Sequence, residues 1–238
     1  MKKVAVLAAN GKSGRFLVLE ALRAGAEVSA FVRLGFDVEW LKARLNAESS
    51  MDSKAESRPD STPLKNLHII QKDIFALESS DLEGFDVVLD AFGEWQDLSL
   101  HRKHIEHLSR IWSANLAPLL VVGGAGSLYM DSTHSTRLMD LPSFPSEYMG
   151  VARATAEVLD FLRAQDSMRW LYVSPAAEFD SESERIGAVR VLGEEFATNE
   201  NGKSYITYAA YAREMLSIAL DSKRLESLLH TRIGLIEG

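Results

Sequence analysis

Asn10, Gly11, Lys12, Ser13 and Gly14 stand between an apolar run, Val4 to Ala9, and an amphipathic run that begins at Arg15. A buried strand that breaks through small residues into a helix start leaves backbone N–H groups converging with the positive end of the helix dipole. That arrangement suits a pyrophosphate. In the pattern Ala8-x-x-Gly11-x-x-Gly14, Gly11 lets backbone approach a phosphate and Gly14 lets the helix pack closely. Ala8 takes the place of the tight-turn glycine, and an L-residue is expected to fill it with a negative φ.

Arg33 ends the next apolar alternation, Val28, Ala30 and Val32, about twenty residues beyond the turn. Dinucleotide enzymes that use NAD place an acidic residue there to hold the adenosine ribose hydroxyls. An arginine instead offers a planar fork of donors and a fixed charge that match a 2′-phosphate, so NADP(H) is expected over NAD(H), with Lys12 or Arg15 assisting. Asp73 and Ile74 follow a further apolar run and are placed to meet adenine through a carboxylate and a backbone N–H. Asp73 is equally suited to capping a helix.

His101, His104 and His107 share one face of a predicted helix, but no acidic or cysteine partner accompanies them, and a packed or solvated histidine face is expected rather than a metal site. Trp112 and Trp170 fall at apolar positions and read as core, whereas Trp95 lies where it can border a pocket.

These residues need a scaffold, and the 238-residue chain suits a single α/β domain. Hydrophobic residues at 46% supply enough apolar surface for a sheet buried on both faces. A formal charge of −8, with no basic stripe interleaved with aromatics, argues against nucleic-acid binding. The absence of cysteine excludes disulfides, thiol catalysis and zinc–thiolate sites. No apolar stretch approaches the ~20 residues that span a bilayer, so no membrane partner and a cytoplasmic location are expected.

Short apolar strands are predicted over Glu27–Arg33, Leu67–Gln71, Asp86–Ala91, Leu119–Val122 and Trp170–Val173, with Thr231–Ile236 as an added edge strand. Helices are predicted from Arg15, over Asp37–Leu45, Asp97–Ala114, Ser146–Leu162 and Tyr208–Leu220. Residues 46–63, rich in Ser, Asp, Glu and Lys, read as a mobile surface insertion, and a small substrate-side region is expected from about Ser174 onward. The coherent architecture is a Rossmann-type, doubly wound, mostly parallel sheet with helices on both faces and ligand loops at its carboxyl edge.

The segments GKSG, VR, KDIF, DAFG (Asp90–Gly93), VVGGAGSLY (Val121–Tyr129), FPSEY (Phe144–Tyr148), SPAAEF (Ser174–Phe179) and GKSYITYAAYA (Gly202–Ala212) resemble the atypical short-chain dehydrogenase-like NAD(P)H-binding family. NmrA-like proteins and NADH-flavin reductases are among its members. The resemblance covers nearly the whole chain and departs from the family at Ala8 and in the Ser-rich insertion. It implies that Asn10, Gly11, Ser13 and Gly14 cradle the pyrophosphate and that Arg33 faces the ribose. It also implies that Ala91, Phe92 and Gly93 pass under the cofactor, that Ser174 and Pro175 flank the nicotinamide, and that Ser127 and Tyr148 stand where catalytic members have their serine and tyrosine.

The lysine of the Tyr-x-x-x-Lys pair is missing: one helical turn beyond Tyr148 stands Ala152, and Arg153 is rotated by about 100°. A phenol without an ammonium beside it is a poor acid near neutral pH, which disfavours simple carbonyl reduction and epimerase or dehydratase chemistry. Hydride transfer to a flavin or quinone spreads charge over a conjugated ring and asks mainly for positioning. An NADPH-preferring oxidoreductase acting on such a small-molecule acceptor is therefore expected. The alternative is a regulator that senses NADP(H) or NAD(H) without turnover and signals through the loops around Met130–Pro145.

Overall fold

The structure, a computed structural model, describes residues 1–49, 63–113 and 116–238. Strand β1 (Lys3–Leu7) leads into α1 (Lys12–Arg23), β2 (Glu27–Val32) and α2 (Val38–Ser49), and then β3 (Leu67–Gln71) and β4 (Val87–Asp90) follow. Helix α3 (Ser99–Ile111), β5 (Leu119–Val122), α4 (Ser146–Arg163) and β6 (Trp170–Ser174) complete two mononucleotide-binding halves. The remainder comprises β7 (Glu178–Asp180), β8 (Val189–Leu192), β9 (Tyr205–Thr207), α5 (Tyr208–Leu220), α6 (Ser222–Leu228) and β10 (Thr231–Glu237).

Eight strands form one sheet in the order β3-β2-β1-β4-β5-β6-β10-β8, parallel except where β8 joins β10, while β7 and β9 pair apart from it. The strand side chains explain why both faces are covered. Val4 and Val6 belong to one apolar core and Ala5 and Leu7 to the other, and Leu171 and Val173 against Trp170 and Tyr172 repeat the division. This period of two with no polar face is what a sheet between two helix layers requires. Helices α1, α2, α5 and α6 cover the first face, and α3 and α4 the second.

Two expectations are corrected, and four elements are added. Helix α2 continues to Ser49, taking the first residues assigned to the insertion, and residues 50–62 of that insertion lie outside the described residues. β10 is not an edge strand: it lies between β6 and β8, with every residue from Arg232 to Glu237 buried. Its two charges are matched inside the protein, Arg232 by Glu194 and Glu237 by the Gly187 N–H at 3.0 Å and the Thr207 hydroxyl at 3.3 Å. The strands β7, β8 and β9 and the short α6, capped by Asp221, were not anticipated from the apolar pattern.

The chain runs outward from β1 to β3 and returns to β4 on the other side of β1. A crevice therefore opens beyond the carboxyl ends of β1 and β4, the topological switch point of such a sheet.

Candidate functional site

The turn after β1 is strained. Ala8 adopts φ +51°, against the expected negative value, so the tight turn keeps the left-handed geometry even though its residue carries a Cβ. Such a conformation costs about 1–2 kcal/mol in an L-residue. The turn is closed by the Gly11 N–H on the Ala8 carbonyl at 3.0 Å, and the Ala9 N–H reaches the Phe31 carbonyl at 3.0 Å.

The glycines hold the cradle open. A Cβ on Gly14 would stand 2.5 Å from the Ala8 carbonyl oxygen and 2.8 Å from the Ala9 Cα, and one on Gly11 would stand 3.2 Å from that same oxygen. Gly11 also caps α1 without a side-chain acceptor, and the first turn holds no acidic residue, so its amides face the crevice uncompensated. Asn10 lines this crevice and ties it to the next loop, its Oδ1 accepting from the Asp37 N–H at 3.3 Å. Lys12 and Ser13 line it too, and the Lys12 ammonium donates to the Ser181 hydroxyl at 3.3 Å. A pyrophosphate fits this set of amides, one cation and no carboxylate.

Beyond β2 and β3 lies the adenosine side. Arg33 is exposed on the crevice wall and makes no ion pair among the described residues; Glu94 stands across from it. Hydrogen bonds from the Gln96 and Trp95 amides, together with the Arg33 charge, hold the Glu94 carboxyl below its ordinary range. Asp73 and Ile74 line the same wall, but the Asp73 carboxylate accepts from the Phe75 N–H at 2.9 Å and caps the short turn that follows. Lys72, not singled out in the sequence, lines the wall while paired with Asp81 at 2.6 Å.

The crevice has two halves, of ≈ 520 Å³ and ≈ 640 Å³, that share Ser13, Tyr208 and the segment Ala91 to Trp95. Ala91, Phe92 and Gly93 thus form the floor where the halves meet.

The larger half lies beyond β5 and β6. Gly124 and Gly126 admit α4: a Cβ on Gly124 would stand 2.5 Å from the Thr155 hydroxyl, and one on Gly126 would stand 2.7 Å from the Ala152 Cβ. Pro175 lines this half, whereas Ser174 is fully buried beneath it. Trp95 and Tyr148, 65% and 49% exposed, meet edge to face at its rim with ring centroids 6.3 Å apart.

Ser127 follows the lining residues Ala125 and Gly126 in the chain. It is 3% exposed and absent from the lining, and its carbonyl accepts from the Arg232 guanidinium at 3.3 Å. Ala152 lines the half where a paired lysine would stand. Tyr208 and His101, neither of them expected to line the site, do so. Tyr208 stacks on Phe179 at 3.8 Å and bonds Ser13; burial pushes its phenol up and that bond opposes the shift. His101 is nearly enclosed, which pushes its imidazole pKa down, and its Nε2 lies 2.9 Å from the Glu94 carbonyl. The aromatic cluster Tyr205, Tyr208 and Tyr211 was the available signal for Tyr208. Among the described residues no group of three or more His, Asp or Glu side chains could hold a metal, and no helix is long and apolar enough to cross a membrane.

No protein-family model matches the chain. It is 36% identical over 218 residues to the uncharacterized protein YwnB of Bacillus subtilis, covering 90% of each. Among solved structures it is similar to a candidate NADH-flavin reductase from Streptococcus pneumoniae, 39% identical, with 100% of each chain covered and a TM-score of 0.81. The chain belongs to the atypical short-chain dehydrogenase-like NAD(P)H-binding family. A candidate epimerase from Bacteroides thetaiotaomicron is also similar, 25% identical over 99% of this chain and 97% of its own, with a TM-score of 0.75. Family membership accords with the open cradle after β1, which is where this fold takes its dinucleotide.

Proposed function

We propose that this protein is an NADPH-preferring oxidoreductase that passes hydride to a flavin, a quinone or a similar conjugated ring. The observation that carries the reading is the pairing of an uncapped helix start with a second, aromatic-rimmed half that lacks an assembled proton donor. The family, and the name borne by the Streptococcus pneumoniae relative, support the general class. The unpaired cation of Arg33 supports the phosphate-bearing nucleotide.

A bound nicotinamide supplies the hydride. The amides of Lys12 and Ser13 hold the diphosphate, and Gly11 and Gly14 keep the approach clear. Ala91 to Gly93 support the nucleotide from below where the two halves meet, and Pro175 bounds the acceptor side. Trp95 and Tyr148 offer apolar faces against which a flat ring lies, excluding water and aligning it. With Ser127 turned into the core and Ala152 in place of a lysine, a simple ketone would find no activated phenol to protonate its alkoxide.

Steady-state oxidation of NADPH with FMN or a quinone tests the reading. Turnover saturable in both partners is the expected result. Tight nucleotide binding with no turnover across a panel of ring acceptors would refute it in favour of a redox-sensing regulator.

A further inference from the structure

We infer that His104 is a buried imidazolium, protonated on both ring nitrogens, and that it is a positioning residue for Phe92 on the floor of the crevice. Its Nδ1 lies 2.7 Å from the His101 carbonyl oxygen, an atom that can only accept, so Nδ1 carries a hydrogen. Its Nε2 lies 2.8 Å from Oδ2 of Asp90. A ring protonated at Nδ1 alone would either set a bare lone pair against that carboxylate or take a hydrogen bond from a neutral Asp90, and we place the shared proton on Nε2. The other oxygen of Asp90 accepts from the Phe92 N–H at 3.1 Å, so both oxygens of that side chain are engaged. The two side chains are 2% and 0% exposed, so neither charge has water to turn to if the other is removed.

Phe92 completes the arrangement. Its ring lies on the His104 ring with centroids 4.2 Å apart and planes inclined by 21°, which presents the aromatic face to a delocalised positive charge. His101 meets the same ring nearly edge-on at 5.6 Å. Phe92 is thus held by Asp90 through its main chain and by His104 through its ring, while it lines both halves of the crevice.

The titratable groups facing His104 are Asp90 at the end of β4 and His101 on its own helix at a ring separation of 6.5 Å, and Glu94, in the loop after β4, lies against His101. Burial pushes the His101 pKa down, and a charge on His104 acts in the same direction. The effect on turnover rests on the proposed hydride transfer; the charge state and the stack do not.

Nitrogen NMR of the 15N-histidine-labelled protein is the first test. At neutral pH one histidine is expected to show two protonated ring nitrogens, and Phe92→Leu is expected to move its ring-nitrogen resonances as the stack is lost. A bare His104 Nε2 at neutral pH, or ring-nitrogen resonances unmoved by Phe92→Leu, overturns the inference. Kinetics are the second test. His104→Gln is expected to lower kcat with a ring acceptor by about tenfold while nucleotide affinity stays within about threefold. Its effect should be non-additive with that of Phe92→Leu. Unchanged turnover, or strictly additive losses, overturns the positioning role. If the wild-type protein turns over no acceptor, the proposed function fails and the two spectra decide the inference, as they do if His104→Gln does not fold.

Discussion

Gly14 lies so close to Ala8 that a Cβ on Gly14 would stand 2.5 Å from the Ala8 carbonyl oxygen, and Ala8 itself is held at φ +51°. The first turn of α1 and the phosphate turn are therefore one unit, and a side chain on the helix side must push the turn apart. Gly14→Ala is expected to cost about 1–3 kcal/mol of stability by overpacking and to weaken nucleotide binding with it. Ala8→Gly acts oppositely, relieving about 1–2 kcal/mol of backbone strain while adding about 0.4–1 kcal/mol of unfolded-state freedom. A small gain in stability should result. Thermal melts with and without nucleotide check both changes.

Arg33 lines the crevice at the end of β2 with no ion pair among the described residues. Charge-assisted bonds to a phosphate are worth about 1.5–3 kcal/mol, so Arg33→Ala is expected to weaken NADPH by about tenfold or more and NADH by much less. Titrations of both nucleotides against both proteins measure this, and equal losses would remove Arg33 from the assignment.

Much of this was legible from local pattern. The β1–turn–α1 unit is readable because most of the interactions that define it lie within a few residues, and the strands β4, β5 and β6 are readable because their side chains are almost wholly apolar and buried. The sign of φ at Ala8 was not, because the turn follows the backbone path and not the preference of its residue. The interior place of β10 was hidden because Arg232 and Glu237 find their partners in Glu194 and Thr207, far away in the chain. Ser127 looked competent from its order relative to Tyr148, yet the residue is buried and its carbonyl accepts from Arg232, a partner 105 positions away that local pattern does not reveal. The tyrosines at 205, 208 and 211 mark an aromatic face, but that Tyr208 joins the site follows from α5 packing beside α1, which local pattern does not show.

Tyr148 is half exposed at the rim, with Trp95 as its ring partner and Ala152 one turn on. If its part is to present a flat face, Tyr148→Phe is expected to leave kcat with a ring acceptor within about threefold, whereas Trp95→Ala raises the KM for that acceptor. A loss of about 100-fold or more in Tyr148→Phe would mean that its hydroxyl transfers a proton.

Burial lowers the His101 pKa below its ordinary 6.5 in the folded state. The unfolded chain then binds more protons than the folded one between the two values, so this histidine's contribution to stability is complete above the unfolded value and falls away as pH drops toward the folded one. Denaturant melts from neutral to mildly acidic pH should record that decline, and His101→Asn should flatten it. A slope that His101→Asn leaves unchanged would assign the decline to other groups.

The most direct measurement is a calorimetric titration of the wild-type protein with NADPH, repeated with Gly14→Ala. Saturable heat at one site per chain, competed by NADH and lost or much weakened in the variant, is the expected result. No heat with any pyridine dinucleotide, or full binding by the variant, would contradict a diphosphate held by the amides that follow β1.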